Sequence, residues 1–191
     1  TARLVDRAIR PLFDDSMRNE VQVVLTVFSV DGENDSDFPA LVASSIALSI
    51  SNIPWDGPIA GVSVAYHDGQ YTINPTTAIF EKSELELFVS GTENTVLMIE
   101  SLGRQTDEKI FMSALTLAQN EITKLTQFIS GIQKEIGKPK VVIETNETDE
   151  MKQMKNSVAS IVDDVVNKNL SRIFGNFGKT ERQAAEEKLL D

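Results

Sequence analysis

Residues 61–75 read GVSVAYHDGQYTINP, and the Asp-Gly pair near their centre is a strong signal for a tight turn between two β-strands. A second pair of strands is predicted for ELELFVSG, residues 84–91, and for TVLMIES, residues 95–101. The first of these alternates charged and apolar residues, as a half-buried strand does, and the second follows it closely. The middle of the chain is therefore predicted to form a meander of strands.

Segments with helical spacing of apolar residues lie on both sides of this meander. Before it come residues 1–10 and PALVASSIALSIS, residues 39–51, where Pro39 takes the first helical position. After it comes a predicted helix over residues 106–136, which should end at Gly137 and Pro139. The predicted fold class is accordingly α+β.

Two further segments complete the predicted order of elements. VQVVLTVFSV, residues 21–30, is almost wholly apolar and β-branched, which predicts a strand covered on both faces. Residues 149–174 predict one long amphipathic helix, and a capping box of Thr180 with Gln183 predicts the start of a last helix. The end of the chain is thus predicted to be all helical.

Composition excludes several classes of protein. The chain of 191 residues has no cysteine, which excludes disulfides and thiolate metal sites, and a formal net charge of -11 argues against a surface that binds nucleic acid everywhere. No apolar run is long enough to cross a bilayer, and no signal peptide is evident, so we expect a cytoplasmic protein without a membrane partner. The sequence begins with Thr1 and not with an initiator Met, so it is expected to be a piece of a longer one.

Three motifs resemble functional sites, but for each of them the spacing or the setting favours a structural role. GNFGKT, residues 175–180, ends like a phosphate-binding loop but lacks the first glycine at the required spacing, so a helix break is favoured. The alternating acids Asp31, Glu33, Asp35 and Asp37 resemble the opening of a calcium loop without its glycine or closing glutamate, which favours a solvated loop over metal binding. His67, the single histidine, is expected to be an exposed turn residue.

The strongest candidate site is the first helix, TARLVDRAIRPLF, residues 1–13. At 100° per residue Arg3, Arg7 and Arg10 fall on one face, opposite an apolar face. Guanidinium groups match phosphate oxygens bidentately, so this face suits a nucleotide chain. Salt bridges to nearby acids are the other reading of the same residues, with the candidates Asp6, Asp14 and Asp15.

The chain resembles the polynucleotide phosphorylase family. The resemblance is carried by residues 1–13, by NEVQVVLTVFSVDGENDSD at 19–37, by 39–66, by QYTINPT at 70–76 and by LELFVSGTENTVLMIES at 85–101. The family commonly shows RxxDRPIRPLF at the opening, and Ala8 stands where its Pro is usual.

The resemblance implies a division of the chain. Residues 1–137 would be the later part of a first ribonuclease PH-like core with a mixed sheet and packed helices, 138–147 a linker, and 148–191 the start of an all-helical domain.

The resemblance also implies a function. The parent would be a trimeric enzyme that degrades single-stranded RNA from its 3′ end with inorganic phosphate, releases nucleoside diphosphates and works with RNA-degradation machinery. Its Mg²⁺ or Mn²⁺ would be bound outside this chain, so no catalytic or metal-binding residue is expected here. Arg3, Arg7 and Arg10 match family arginines associated with the RNA path, and a purely structural role is the alternative.

Overall fold

The computed structural model describes residues 1–143, 148–173, 175 and 178–190. The chain divides into two compact units, Thr1–Ile143 and Glu144–Asp191. In the described residues of the first unit the elements are, in chain order, α1 (Ala2–Ile9), a 3₁₀ turn (Arg10–Leu12), α2 (Asp37–Ile50), β1 (Ala60–His67), β2 (Gln70–Ile73), α3 (Thr77–Phe80), β3 (Leu85–Gly91), β4 (Val96–Gly103) and α4 (Glu108–Ile136). The second unit contributes α5 (Asp149–Ile173) and α6 (Lys179–Leu190). The α+β prediction is confirmed.

The four strands form one sheet in the order β2-β1-β3-β4, and every pairing is antiparallel. His67 pairs with Gln70, so Asp68 and Gly69 alone make the first turn. Both have positive φ, 48° and 76°, as a tight hairpin turn of the mirror-image type requires. The predicted meander of strands is confirmed at both hairpins.

One face of the sheet packs on α4. Side chains alternate between the two faces of a strand, and the inward set on β1 and β3 meets the small and branched residues of α4. The buried members of this cluster include Val62, Val64, Leu85, Leu87, Val89, Ala114, Ala118 and Ile122. The period of the sequence over 106–136 correctly predicted the helix that supplies this cover.

A second cluster joins the first two helices to the opposite residues of the sheet. Phe88 of β3 and Met98 of β4 pack with the apolar side of α1 and with Leu41 and Leu48 of α2. Gly61 leaves room for this approach, since a Cβ there would lie 2.7 Å from Leu41 Cδ2 and 2.7 Å from Phe88 Cζ. The first helix is thereby held against the sheet by a core that spans distant parts of the chain.

The prediction of a strand at residues 21–30 is wrong. This stretch forms no strand, and most of it is exposed, with Phe28 95% and Val24 73% accessible. Val21 and Val23 alone of its residues pack against the second cluster. A strand requires a partner for its backbone groups as well as apolar side chains, and β1 to β4 pair only with one another in the described residues.

Two predicted helix starts are displaced. The second helix begins at Asp37, two residues before Pro39. The last helix begins at Lys179, and the backbone N–H of Gly178 donates to Glu181 Oε2 at 3.1 Å, so the cap involves Glu181 and the predicted box of Thr180 with Gln183 is wrong. Since α6 includes Lys179 and Thr180, the end of GNFGKT lies in a helix, while Asn176 and Phe177 lie outside the described residues.

The chain after α4 returns to the C-terminal end of α2. The N–H groups of Lys138 and Val141 donate to the carbonyls of Ile50 and Asn52, at 3.0 and 2.9 Å. Lys140 Nζ donates to the carbonyls of Leu48, Ser49 and Ser51 at 2.8 to 3.1 Å, which satisfies acceptors that the end of a helix leaves open. Partial burial lowers the pKa of Lys140. Residues 138–143 therefore belong to the first compact unit.

The second unit is described separately. Apolar residues recur along α5 and are exposed in the described structure, among them Met151, Met154, Val158, Ile161 and Val165. Within the described ranges, none of the helices combines the length and the hydropathy that a membrane crossing needs.

Candidate nucleic-acid interface

The first helix separates its residues by face, as predicted. Leu4, Val5, Ala8 and Ile9 are buried in the second cluster, and Arg3, Arg7 and Arg10 are exposed. The helix ends at Ile9, and Pro11 lies in the 3₁₀ turn that follows. Ala8 is fully buried, so its small side chain fits the helix close against the core.

Trp55 fixes the C-terminal end of this helix. Its indole Nε1–H donates to the Ile9 carbonyl at 3.0 Å, and its ring lies 6.4 Å from that of Phe13 in a tilted arrangement. The N–H of Asp56 donates to the carbonyl of Leu12 at 3.0 Å. These contacts tie the arginine helix to the chain that enters β1, so the arginines are presented from a rigid element.

The three arginines differ in their partners. The Arg7 guanidinium pairs with the carboxylate of Glu100 on β4, and the side chains are 43% and 46% exposed. Arg10 pairs with Asp6 one turn earlier on the same helix, with Nε donating to Oδ1 at 3.1 Å. Arg3 makes no ion pair or hydrogen bond with any residue that the structure describes, so its guanidinium is available to an anion.

Of the acids expected to neutralise the arginines, only Asp6 does so. Asp14 instead accepts from the backbone N–H of Ser16 at 2.7 Å and from its hydroxyl, and these hydrogen bonds lower the pKa of Asp14. The backbone carbonyl of Asp15 accepts from Arg18 at 3.0 Å. The partner of Arg7 comes from a strand 93 residues away and was missed by the sequence analysis.

Acidic side chains border the arginine face on one side. Asp35, Asp37, Glu86 and Glu100 line a cleft of about 360 Å³ together with Leu4 of the helix. Arg10 lines a second cavity of about 310 Å³ together with Asp6 and Asp14. Acidic side chains therefore lie beside the arginines in both places, and a ligand of the arginines needs a negative charge to match their guanidinium groups.

Two acids of the 31–37 loop, Asp31 and Asp35, stabilise the loop itself. Asp31 Oδ1 accepts from the N–H groups of Glu33 and Asn34 at 2.8 and 2.9 Å, and Asp35 Oδ1 accepts from the N–H of Asp37 at 2.9 Å. The hydrogen bonds from Asn34 and Glu33 lower the pKa of Asp31 to about 2. Asp31 and Asp35 thus accept from loop amides, whereas the Asp37 carboxylate accepts from the hydroxyl of Thr1. Within the described residues these acids do not form a group that could hold a metal ion.

The described residues do not fit a divalent metal site. Among them, no three acidic or histidine side chains come together in an arrangement that could hold an ion. His67 lies beside the hairpin turn, but it is the last residue of β1 and is half-buried, so the expectation of an exposed turn residue is wrong. Its Nε2 lies 3.2 Å from the carboxylate of its neighbour Asp68. What these residues offer chemically is the binding of phosphate groups by guanidinium.

Comparison with known proteins agrees with this fold and this helix. Residues 57–121 match the 3′ exoribonuclease family, domain 2. The chain is 46% identical over 182 residues to polyribonucleotide nucleotidyltransferase 1 of Alkaliphilus metalliredigens. This match covers 95% of this chain and 25% of that relative. It is 49% identical over 144 residues to polyribonucleotide nucleotidyltransferase of Caldicellulosiruptor saccharolyticus, which covers 75% of this chain and 20% of that relative.

The antiparallel sheet with its covering helix, together with the match at residues 57–121, defines a domain of the ribonuclease PH class. A match to polyribonucleotide nucleotidyltransferase 3 of Alkaliphilus metalliredigens, 43% identical over 195 residues, covers 100% of this chain and so includes the arginine helix. The chain belongs to the polyribonucleotide nucleotidyltransferase family, and it spans about a quarter of the length of the curated relatives it matches.

Proposed function

We propose that this chain is part of a phosphorolytic 3′-to-5′ exoribonuclease and that its arginine face contacts the RNA backbone. The observation that carries the proposal is the first helix, on which Arg3, Arg7 and Arg10 are exposed and Arg3 is without a partner among the described residues. Identity of 46% to a nucleotidyltransferase over 95% of the chain supports the reaction class. Phosphate contacts position a strand without reading its sequence, as an enzyme that degrades many RNAs requires.

In the proposed reaction an oxygen of inorganic phosphate attacks the phosphorus of the last phosphodiester. The bond from that phosphorus to the 3′ oxygen breaks, the shortened RNA regains its 3′ hydroxyl with a proton, and a nucleoside diphosphate leaves. Negative charge develops on the non-bridging oxygens, where cations stabilise it. The three arginines would hold the strand during this step, while the catalytic residues and the Mg²⁺ or Mn²⁺ lie outside this chain.

The proposal includes the organisation of the whole protein. Residues 1–137 would be the later part of a first ribonuclease PH-like core and 148–191 the start of an all-helical domain. Residues 138–147 would be the linker, and its first part, up to Ile143, packs with the first unit. The parent enzyme would be a cytoplasmic homotrimer that acts on single-stranded RNA with other RNA-degradation components. The chain by itself is expected to have no phosphorolytic activity.

The second candidate function is a structural one, in which the arginines hold the fold or an assembly surface. The ion pairs of Arg7 with Glu100 and of Arg10 with Asp6 favour it, because both guanidinium groups already have a carboxylate. In that case loss of the arginines lowers stability or changes assembly and leaves RNA affinity unchanged.

Fluorescence anisotropy of labelled single-stranded oligo(A) distinguishes the two functions. The wild-type chain is compared, at several salt concentrations, with a variant in which Arg3, Arg7 and Arg10 are all alanine. For a single strand the logarithm of affinity falls with the logarithm of salt by about 0.7 per phosphate contact, so loss of up to three contacts should flatten the slope by up to about 2.

The matched control removes the same charge elsewhere. Lys109, Lys124 and Lys134 are exposed on α4, and their replacement by alanine also changes the net charge by three. This variant should retain the salt slope of the wild type. Equal loss of binding in both variants would show that only net charge matters and would contradict the proposed contact.

A further inference from the structure

Arg7 is joined to the sheet through a carboxylate that no local pattern in the sequence indicates. Glu100 lies on β4, opposite Phe88 of β3, and Phe88 is buried in the cluster that includes Leu4 of α1. The backbone of Glu100 is therefore fixed under the arginine helix. Its side chain remains 46% exposed and reaches the Arg7 guanidinium.

Arg3 and Arg7 differ in whether their guanidinium groups already have a partner. Arg3 lies one turn before Arg7 on the same face and has no partner among the described residues. An RNA strand bound along this helix would find the Arg3 guanidinium without a partner and the Arg7 guanidinium already paired with Glu100. A carboxylate and a phosphate both accept a bidentate pair of hydrogen bonds from the N–H groups of a guanidinium. The two anions therefore compete for the same donors of Arg7.

We propose that Glu100 is an internal competitor that holds Arg7 until an RNA backbone displaces it. The inference rests on the proposed function of the arginine face and adds to it a residue that tunes its affinity for RNA. Because a ligand of Arg7 must first displace this carboxylate, Glu100 lowers the affinity of the face for the RNA backbone.

The size of the effect follows from the exposure of the pair. Ion pairs between side chains that are about half exposed are weak, and their removal corresponds to roughly 1.5- to 5-fold in an equilibrium constant. We therefore expect Glu100→Gln to raise the affinity for oligo(A) by about 2- to 5-fold at low salt. The salt slope should steepen by up to about 0.7, because Arg7 becomes a full phosphate contact.

The control for charge alone is Glu86. Glu86 lies on β3 opposite Leu102, two residues along the ladder from the pair of Phe88 with Glu100, so its side chain is on the same face of the sheet. It makes no ion pair with the arginines in the described structure. Glu86→Gln removes the same charge a short distance away and should change affinity much less than Glu100→Gln does.

The experiment measures oligo(A) anisotropy for the wild type, Glu100→Gln, Glu86→Gln, Arg7→Ala and the double variant of Arg7 and Glu100. The expected result is tighter binding for Glu100→Gln alone and no effect of Glu100→Gln when Arg7 is alanine. Fluorescence of Trp55 verifies that each variant is folded.

Each other outcome has a definite meaning. Equal gains from Glu86→Gln and Glu100→Gln, or a gain that persists without Arg7, overturn the competition. Binding that depends on the arginines but is unchanged or weakened in Glu100→Gln overturns the competition and leaves the proposed function standing. If oligo(A) binds the triple arginine variant as well as the wild type, or binds none of the chains, the proposed function fails first.

Discussion

Replacement of Trp55 by phenylalanine should destabilise the first unit by about 2–4 kcal/mol. Trp55 is 5% exposed, and its Nε1–H donates to the Ile9 carbonyl at 3.0 Å. Phenylalanine cannot make this bond, and a buried acceptor left without a donor costs about 1–3 kcal/mol. The smaller ring also leaves roughly 40 Å³ unfilled, which at about 24 cal/mol per Å³ adds about 1 kcal/mol.

Urea unfolding followed by far-UV circular dichroism measures this change, and the free energy follows from the midpoint and slope. Hydrogen exchange of the amides of α1 gives a local measure, and these amides should exchange faster in Trp55→Phe. The control is Phe28→Leu, since Phe28 is 95% exposed and its replacement should change stability by less than about 0.5 kcal/mol. A loss below about 1 kcal/mol in Trp55→Phe would refute the idea that this side chain anchors the arginine helix.

Two further predictions concern the sheet and the acidic loop. Gly61→Ala should lower stability by about 1–3 kcal/mol, because its Cβ would lie 2.7 Å from Leu41 Cδ2, whereas Gly131→Ala on α4 meets nothing within 4 Å and should raise the melting temperature. Carboxyl NMR titration should place the pKa of Asp31 at about 2, below its ordinary 3.8. Because the folded state lowers this pKa, the stabilisation by Asp31 is present above pH 3.8 and is lost as the pH falls through 2; it should be absent in Asp31→Asn. A midpoint near 3.8, or equal melting temperatures for the two glycine variants, would contradict these readings.

The features that the sequence predicted well are those determined by neighbouring residues. The turn at Asp68 and Gly69 depends on two residues that tolerate positive φ, and the helix α4 depends on a period sustained over 29 residues. The arginine helix is likewise a local matter, since its apolar and charged residues are interleaved at helical spacing. All three are confirmed by the structure.

The features that the sequence did not predict depend on distant parts of the chain. Residues 21–30 have the composition of a buried strand, but a strand also needs a ladder partner, which composition does not reveal. The acids considered for the arginines were near in sequence, and of these Asp6 does pair with Arg10. Glu100 could not be identified from the sequence, because its contact with Arg7 depends on the packing of α1 against β4.

The exposed apolar residues of 21–30 also bear on how the protein behaves at high concentration. VQVVLTVFSV carries no charge and no proline, a composition that favours association between β-forming segments of separate molecules. The net charge of -11 opposes this, because equally charged molecules repel one another at distances beyond the contact itself. At about 1 M salt the range of that repulsion shrinks to roughly 3 Å. The colloidal stability of the chain is therefore electrostatic in origin, and solutions of it should keep best at low ionic strength and well above its isoelectric point of about 4.6.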